Sequence, residues 1–204
     1  VNLKDVNIVV TDRLHSGAIA CDLYGDIDNC SASGTININN TTFNGTAGNS
    51  YDGITHGGLV GSIFNHSATN CTNDIDITVT SLVAPAKSLK GTIGGVIGGV
   101  SGTANECEFD GLVNNGDITY VGTTQIANVY ISGIIGKNSD TNGQKDFKVI
   151  KNCTNNGNLS TYKESKSAAS ILLCGITGRL EIGADVVCDK LVNNGDLTHN
   201  GTVK

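Results

Sequence analysis

Leu112-Val113-Asn114-Asn115-Gly116-Asp117-Ile118-Thr119 returns, with Leu in place of Ile, as Leu191-Val192-Asn193-Asn194-Gly195-Asp196-Leu197-Thr198. Three looser copies align with it without gaps: Cys153–Ser160, Cys71–Thr78 and Cys30–Asn37. The first residues fall at 30, 71, 112, 153 and 191, spaced by 41, 41, 41 and 38. Self-similarity at such a period marks a solenoid or an array, in which each unit buries its apolar face only against its neighbours.

A second motif travels with the first. It reads Gly57-Gly58-Leu59-Val60-Gly61, Gly94-Gly95-Val96-Ile97-Gly98, Ser132-Gly133-Ile134-Ile135-Gly136 and Cys174-Gly175-Ile176-Thr177-Gly178, with a worn first copy at Gly17-Ala18-Ile19-Ala20-Cys21. The segments between the two motifs change length while the period holds, as two fixed elements joined by elastic loops would require.

Composition sets the class. The 204 residues include 27 Gly, one Pro (Pro85), no Trp and no Met, and aromatics make up 4%. Gly at this density opposes helix. Apolar residues two apart, as at Ile8/Val10, Ile36/Ile38 and Ile75/Ile77/Val79, are the alternation of half-buried strands. Only Lys163–Leu173 could suit a helix, and its Ile and Leu suit a strand equally. The expectation is all-β: a parallel β-helix (β-solenoid) of about five repeats of ~41 residues, forming a single domain over residues 1–204. A propeller is disfavoured, because its blades carry aromatic signatures that are missing here.

Stacking the copies generates columns. Ile36, Ile77, Ile118, Leu159 and Leu197 form one apolar line. Ala32, Asn73, Asn114, Asn155 and Asn193 form another, in which amides are expected to bond up the stack. Gly34, Gly116, Gly157 and Gly195, with Ile75 as the exception, are expected at a turn of positive φ. Thr41–His56, Ser81–Lys90 and the polar insertion Asn138–Asp146 read as loops.

Gly-Gly-Leu-Val-Gly followed about a dozen residues later by Asn-Cys-Thr-Asn-x-x-x-Ile, best seen over Gly57–Ile77, resembles the GLUG repeat. That resemblance covers nearly the whole chain in five copies of varying quality. Such repeats occur in large secreted and surface-anchored bacterial proteins, including non-catalytic regions of IgA-cleaving metallopeptidases, and in adhesin-like proteins. It implies a β-helical, extracellular, non-enzymatic stalk or binding region. It implies no protease activity, since the His-Glu-x-x-His zinc motif of those peptidases is missing from the sequence.

The residues themselves offer little chemistry. His15, His56, His66 and His199 lack metal spacing and are expected in exposed loops. Gly133–Lys137 is too short for a phosphate loop, and Gly98–Gly102 lacks nucleophile-elbow spacing. Asp22, Asp26 and Asp28 cluster, as do Asp74 and Asp76, while Asp76, Asp117 and Asp196 share a column with Thr35 and Asn158. Solvated outer-face acids are the expectation, with calcium bridging or lyase-type catalysis as lesser alternatives. The Asn37, Thr78, Thr119, Ser160 and Thr198 rank invites an ice-binding reading, which the neighbouring Asp-rich rank opposes. No residue is singled out as catalytic, cofactor-binding or metal-ligating.

Seven Cys is an odd number, so one thiol at least stays unpaired within the chain. Cys30, Cys71 and Cys153 alternate with Leu112 and Leu191, which reads as a buried apolar site, with a disulfide framework as the lesser alternative, while Cys107 and Cys188 fall outside the frame. The net charge is −6 and Arg13 and Arg179 are the only arginines, so nothing points to nucleic acid. Nine Asn-x-Ser/Thr sequons, at Asn29, Asn39, Asn40, Asn44, Asn65, Asn70, Asn152, Asn158 and Asn200, permit a glycoprotein. The expected role is a secreted or cell-surface interaction module, adhesin-like and without chemistry of its own, meeting protein or glycan at a surface or matrix. The alternatives are a structural subunit of an extracellular filament and a carbohydrate-active β-helix enzyme. Neither end carries an obvious cap, so contact with further repeats or like subunits is expected at both.

Overall fold

The computed structural model describes residues 1–11, 15–39, 54–81, 90–101, 107–121, 128–138, 148–163, 170–179 and 187–201. It is a parallel β-solenoid in which one repeat makes one coil, built around four stacked sheets. Sheet I gathers His15–Ser16, Ile54–Gly57, Lys90–Gly94, Asn128–Ser132 and Ser170–Cys174. Sheet II gathers Ala20–Leu23, Val60–Phe64, Ile97–Ser101 and Ile135–Asn138. Sheet III holds the short strands Ile27–Asp28, Ala68–Thr69, Glu108–Asp110, Val149–Lys151 and Val187–Asp189. Sheet IV runs from Asn2–Val10 through Ser31–Asn39 and Thr72–Ser81, then continues as two short strands per coil, the last being Val192–Asn193 and Leu197–Gly201. The coils beginning at Ile54, Lys90 and Asn128 have neighbours on both sides; the first and fifth copies form the end coils.

The columns follow the alignment. Ile36, Ile77, Ile118, Leu159 and Leu197 pair in succession. The first four are at most 1% exposed, whereas Leu197, in the end coil, is 45% exposed. Each fully buried member contributes about 1.5–3 kcal/mol. Sheet III adds an apolar column whose strands are too short to show periodicity: Ile27, Ala68, Phe109, Ile150 and Cys188. Cys188 thus lies outside the Cys30/Leu112 column, as expected, and joins this one. The stretch Lys163–Leu173 is strand at both of its described ends, Leu159–Lys163 and Ser170–Cys174. The loops expected at Thr41–His56, Ser81–Lys90 and Asn138–Asp146 lie largely outside the described residues.

The two motifs co-occur because they touch. A Cβ on Gly58 would sit 2.2 Å from Asn73 Oδ1, one on Gly95 2.4 Å from Asn114 Cγ, and one on Gly133 2.2 Å from Asn155 Cγ. The second Gly of each arc thus makes room for the amide of its own coil. The worn first repeat obeys the same rule from the other side. Ala18, bonded to the Gly58 carbonyl, replaces the Gly, and Ala32, paired with Asn73, replaces the Asn. The last Gly of the motif serves the contact between sheets, since a Cβ on Gly98 would lie 2.6 Å from the backbone of His56.

The glycine column needs a different explanation from the one expected. Only Gly34 has a positive φ, 134°, among Gly34, Gly116, Gly157 and Gly195. The others answer to crowding: a Cβ on Gly116, Gly157 or Gly195 would lie 1.9 Å from the carbonyl oxygen of Ile75, Gly116 or Gly157 in the coil before. The left-handed corner is between sheets III and IV, at Asn29, Asn70, Gly111, Asn152 and Lys190, with φ of 56°, 51°, 65°, 52° and 50°. Asn and Gly are the residues that visit this region most readily. Three of the sequon asparagines, Asn29, Asn70 and Asn152, are therefore corner residues.

Candidate functional site

The outward face of sheet IV carries the densest polar chemistry, arranged in three ranks. In the first, Asn115 Nδ2 donates to Asp74 Oδ1 at 2.7 Å, Asn156 to Asn115 at 2.8 Å and Asn194 to Asn156 at 2.8 Å. In the second, each acid or amide accepts a backbone N–H from the next coil. Asp117 N–H donates to Asp76 at 2.8 Å, Asn158 N–H to Asp117 at 2.7 Å and Asp196 N–H to Asn158 at 3.1 Å. The third is Asn37, Thr78, Thr119, Ser160 and Thr198, in which Thr119 and Ser160 share a hydrogen bond of 3.2 Å. The shared Asp column is thus occupied in holding one coil to the next. The exposed acids stand directly beside the Thr rank, as the sequence places them.

Each member of the Asp22, Asp26 and Asp28 cluster has partners of its own. Asp22 pairs with His15. Asp26 accepts from the Ser67 N–H at 2.7 Å and meets His66 at 3.2 Å; the Ser67 bond is the main reason its carboxyl sits below the usual range. Asp28 accepts from Thr69 Oγ1 at 2.5 Å and Asn70 Nδ2 at 3.0 Å, which lower it likewise. Asp110 repeats the arrangement two coils on, accepting from Asn152 at 2.7 Å and facing Lys151 at 3.3 Å. Among the described residues, no group of three or more His, Cys, Asp or Glu side chains converges where a metal ion could sit.

Inside the coil runs the second amide ladder. Asn73 donates to Asn114, Asn114 to Asn155 and Asn155 to Asn193, each at 2.7 Å. Every Nδ2 also reaches the carbonyl two residues ahead, from 3.1 Å at Ile75 to 2.7 Å at Gly195. The ladder ends beneath Ala32, where Asn73 Oδ1 is buried without a partner. Asn114→Ala removes one donor and one acceptor from this interior line. It is expected to cost about 1–3 kcal/mol in urea unfolding, because Asn155 Oδ1 loses its donor and Asn73 one of its acceptors.

His56 departs from the expectation of exposed loop histidines. It lies in the strand Ile54–Gly57, fully buried, with Nδ1 2.8 Å from Ser16 Oγ and Nε2 without a partner. Its neighbours in register are Ser16 and Ile93, and beyond Ile93 the column continues as apolar residues, Ile131 and Leu173. A His within a Val/Ile/Gly-rich strand was the available signal for burial. Desolvation, with His15 nearby as the smaller cause, holds its pKa down at about 3 against an ordinary 6.5. The unfolded chain therefore binds a proton below about pH 6.5 that the folded chain refuses. Stability is fully present above that pH and declines as the pH falls toward about 3, by up to about 1.4 kcal/mol per pH unit. Denaturant titrations from pH 7 to pH 4 are expected to show this slope and a His56→Leu variant to lack it.

Cys30, Cys71, Cys107 and Cys153 are buried as small apolar residues, whereas Cys21 and Cys188 are exposed. All seven are free thiols. Cys71 and Cys153 are buried and donate to the carbonyls of Thr69 at 3.1 Å and Lys151 at 3.2 Å. Burial pushes both thiols up to about 11, which suppresses the reactive thiolate. The Gly-rich stretches singled out for phosphate or nucleophile chemistry are structural. Gly133 faces Asn155, Gly136 lies over the Ile93 backbone and Ser101 ends a regular strand. No protein family model matches the chain, and no curated protein matches it.

Proposed function

We propose that this chain is a non-enzymatic structural and interaction module of an extracellular microbial protein, an adhesin-like stalk or binding region of the GLUG-repeat kind. The observation that carries the reading is the use made of the polar side chains: the acids and amides of sheet IV and of the corners bond coil to coil. Such a body provides length, rigidity and a hydrated outer face, with partners among proteins or glycans of a surface or matrix. The contact between Gly58 and Asn73 gives the paired GLUG-like motifs a physical basis.

A filament subunit is the second reading, favoured by the fifth coil. Val187, Val192 and Leu197 are 49%, 43% and 45% exposed there, on strands that pair on one side only among the described residues. The opposite end is blunted by a register shift between Leu3 and Val6, with Asp5 at a φ of 55°. Bulges of this kind oppose edge pairing. Contact with further repeats or like subunits at both ends belongs to this second reading. Binding screens of the native parent protein against glycans and matrix proteins are expected to give retention without turnover. Release of reducing sugar ends from any polysaccharide would overturn the non-enzymatic reading.

A further inference from the structure

Cys30 and Cys71 occupy one column of the stack in consecutive coils. The residues that follow them, Ser31 and Thr72, pair in register, and the Thr72 N–H donates to the Cys30 carbonyl at 2.9 Å. Both thiols take the same path, each donating to the carbonyl two residues back, Asp28 at 3.3 Å and Thr69 at 3.1 Å. Side chains that leave one column in the same direction lie one strand spacing apart, about 4.7–4.9 Å. The two thiols are accordingly within hydrogen-bonding reach of each other.

No other two of the seven cysteines are stacked in this way. Cys153 shares the column but stands between Leu112 and Leu191. Cys21, Cys107, Cys174 and Cys188 lie on other columns, beside Gly61, Lys148, Ser132 and Ile150. We propose that Cys30 and Cys71 are a site of oxidative cross-linking, joined by a disulfide that staples the first coil to the second. The proposal asks for an oxidising surrounding and does not depend on what the module binds.

In-register neighbours suit the bond, because one strand spacing falls within the Cα separation of about 4.4–6.8 Å that disulfides span. Closure asks each side chain to leave its carbonyl and turn along the stack. The Thr69 carbonyl keeps the Asn29 N–H at 3.1 Å, so the change does not orphan it. The loop that closes is one whole repeat, and a cross-link of that reach restricts the unfolded chain far more than the folded one.

The oxidant is a small-molecule disulfide, RSSR. One cysteine, as thiolate, attacks a sulfur of RSSR and forms an S–S bond to it. The first RS⁻ leaves and takes up the proton that the cysteine lost. The second cysteine, as thiolate, then attacks the cysteine sulfur of this mixed disulfide, and the second RS⁻ leaves with the second proton. Two thiols give up two electrons and two protons, and one RSSR becomes two RSH. In the closed stack both thiols are buried, and desolvation is the main reason the Cys71 thiol is pushed up to about 11. Exchange therefore belongs to the folding chain, and the finished bond is shielded from reductants.

The test is to refold the reduced 204-residue chain in a mixture of reduced and oxidised glutathione, then denature it and alkylate without reductant. Peptide mapping by mass spectrometry is expected to find Cys30 joined to Cys71 and the other five of the seven cysteines alkylated. The linked chain should unfold at a higher urea concentration than the chain kept reduced. Cys153→Ala should leave the link in place, and Cys30→Ala should leave Cys71 alkylated. Seven alkylated cysteines after refolding, a dominant link between any other two, or a linked chain less stable than the reduced one would each overturn the proposal.

Discussion

Ile118→Asp leaves the chain unfolded. Ile118 is fully buried, between Ile77 and Leu159 in the central apolar column. Its replacement forfeits about 1.5–3 kcal/mol of burial and places a carboxylate where desolvation costs several kcal/mol. The sum rivals the roughly 5–15 kcal/mol that holds a typical domain together. Circular dichroism on heating should show no cooperative transition. Thr119→Asp, one residue on and facing outward, is the control and should melt near the parent temperature. A soluble Ile118→Asp protein melting with the parent would mean that this column is not the core.

Gly58→Ala has the second largest expected effect, although it adds a single methyl group. That methyl would meet Asn73 Oδ1 and the Gly95 carbonyl, both at 2.2 Å. Overpacking of this severity costs about 1–3 kcal/mol or more. Part of the loss should return on adding Asn73→Ala, because the first repeat already combines Ala18 with Ala32 at the matching positions. The coupling in a double-mutant cycle is expected between about 0.5 and 3 kcal/mol. Gly25→Ala, with nothing within 4 Å of the new Cβ, should be near neutral. Strict additivity of the two substitutions at 58 and 73 would refute the contact as the reason for the paired motifs.

The fold was legible because a solenoid writes its register into its period. Aligning Asn114 with Asn155 in sequence also aligns them in space, since each repeat returns the chain to the same face one strand higher. The apolar column and the amide ladder were readable for that reason. The direction of the glycine constraint was not, because crowding against a neighbouring coil and positive φ both select Gly. Only coordinates separate Gly116, which is crowded, from Gly111, which is left-handed. Sheet III escaped notice because strands of two or three residues carry no alternation. His56 gave no sign of burial by residue type, since histidine is more often exposed; only its strand context, Ile54–Gly57, carries the signal.

The candidate outer face was legible as columns but not as bonds. Sequence spacing put Asp76, Asp117 and Asp196 on one line, where like charges suggest either solvation or a cation. The backbone N–H groups that Asp76 and Asp117 accept become visible only once the coils are stacked. The corner acids Asp28 and Asp110 are similar: their partners Asn70 and Asn152 lie 42 residues away in sequence.

The interior ladder is tested most directly by NMR of the folded chain with its asparagines labelled in the side-chain nitrogen. Cross-relaxation is expected between the Nδ2 protons of Asn73 and Asn114, of Asn114 and Asn155, and of Asn155 and Asn193, with slow solvent exchange at Asn114 and Asn155. Side-chain amides at these positions that exchange at the free rate and show no contact from coil to coil would contradict the stacked one-coil repeat.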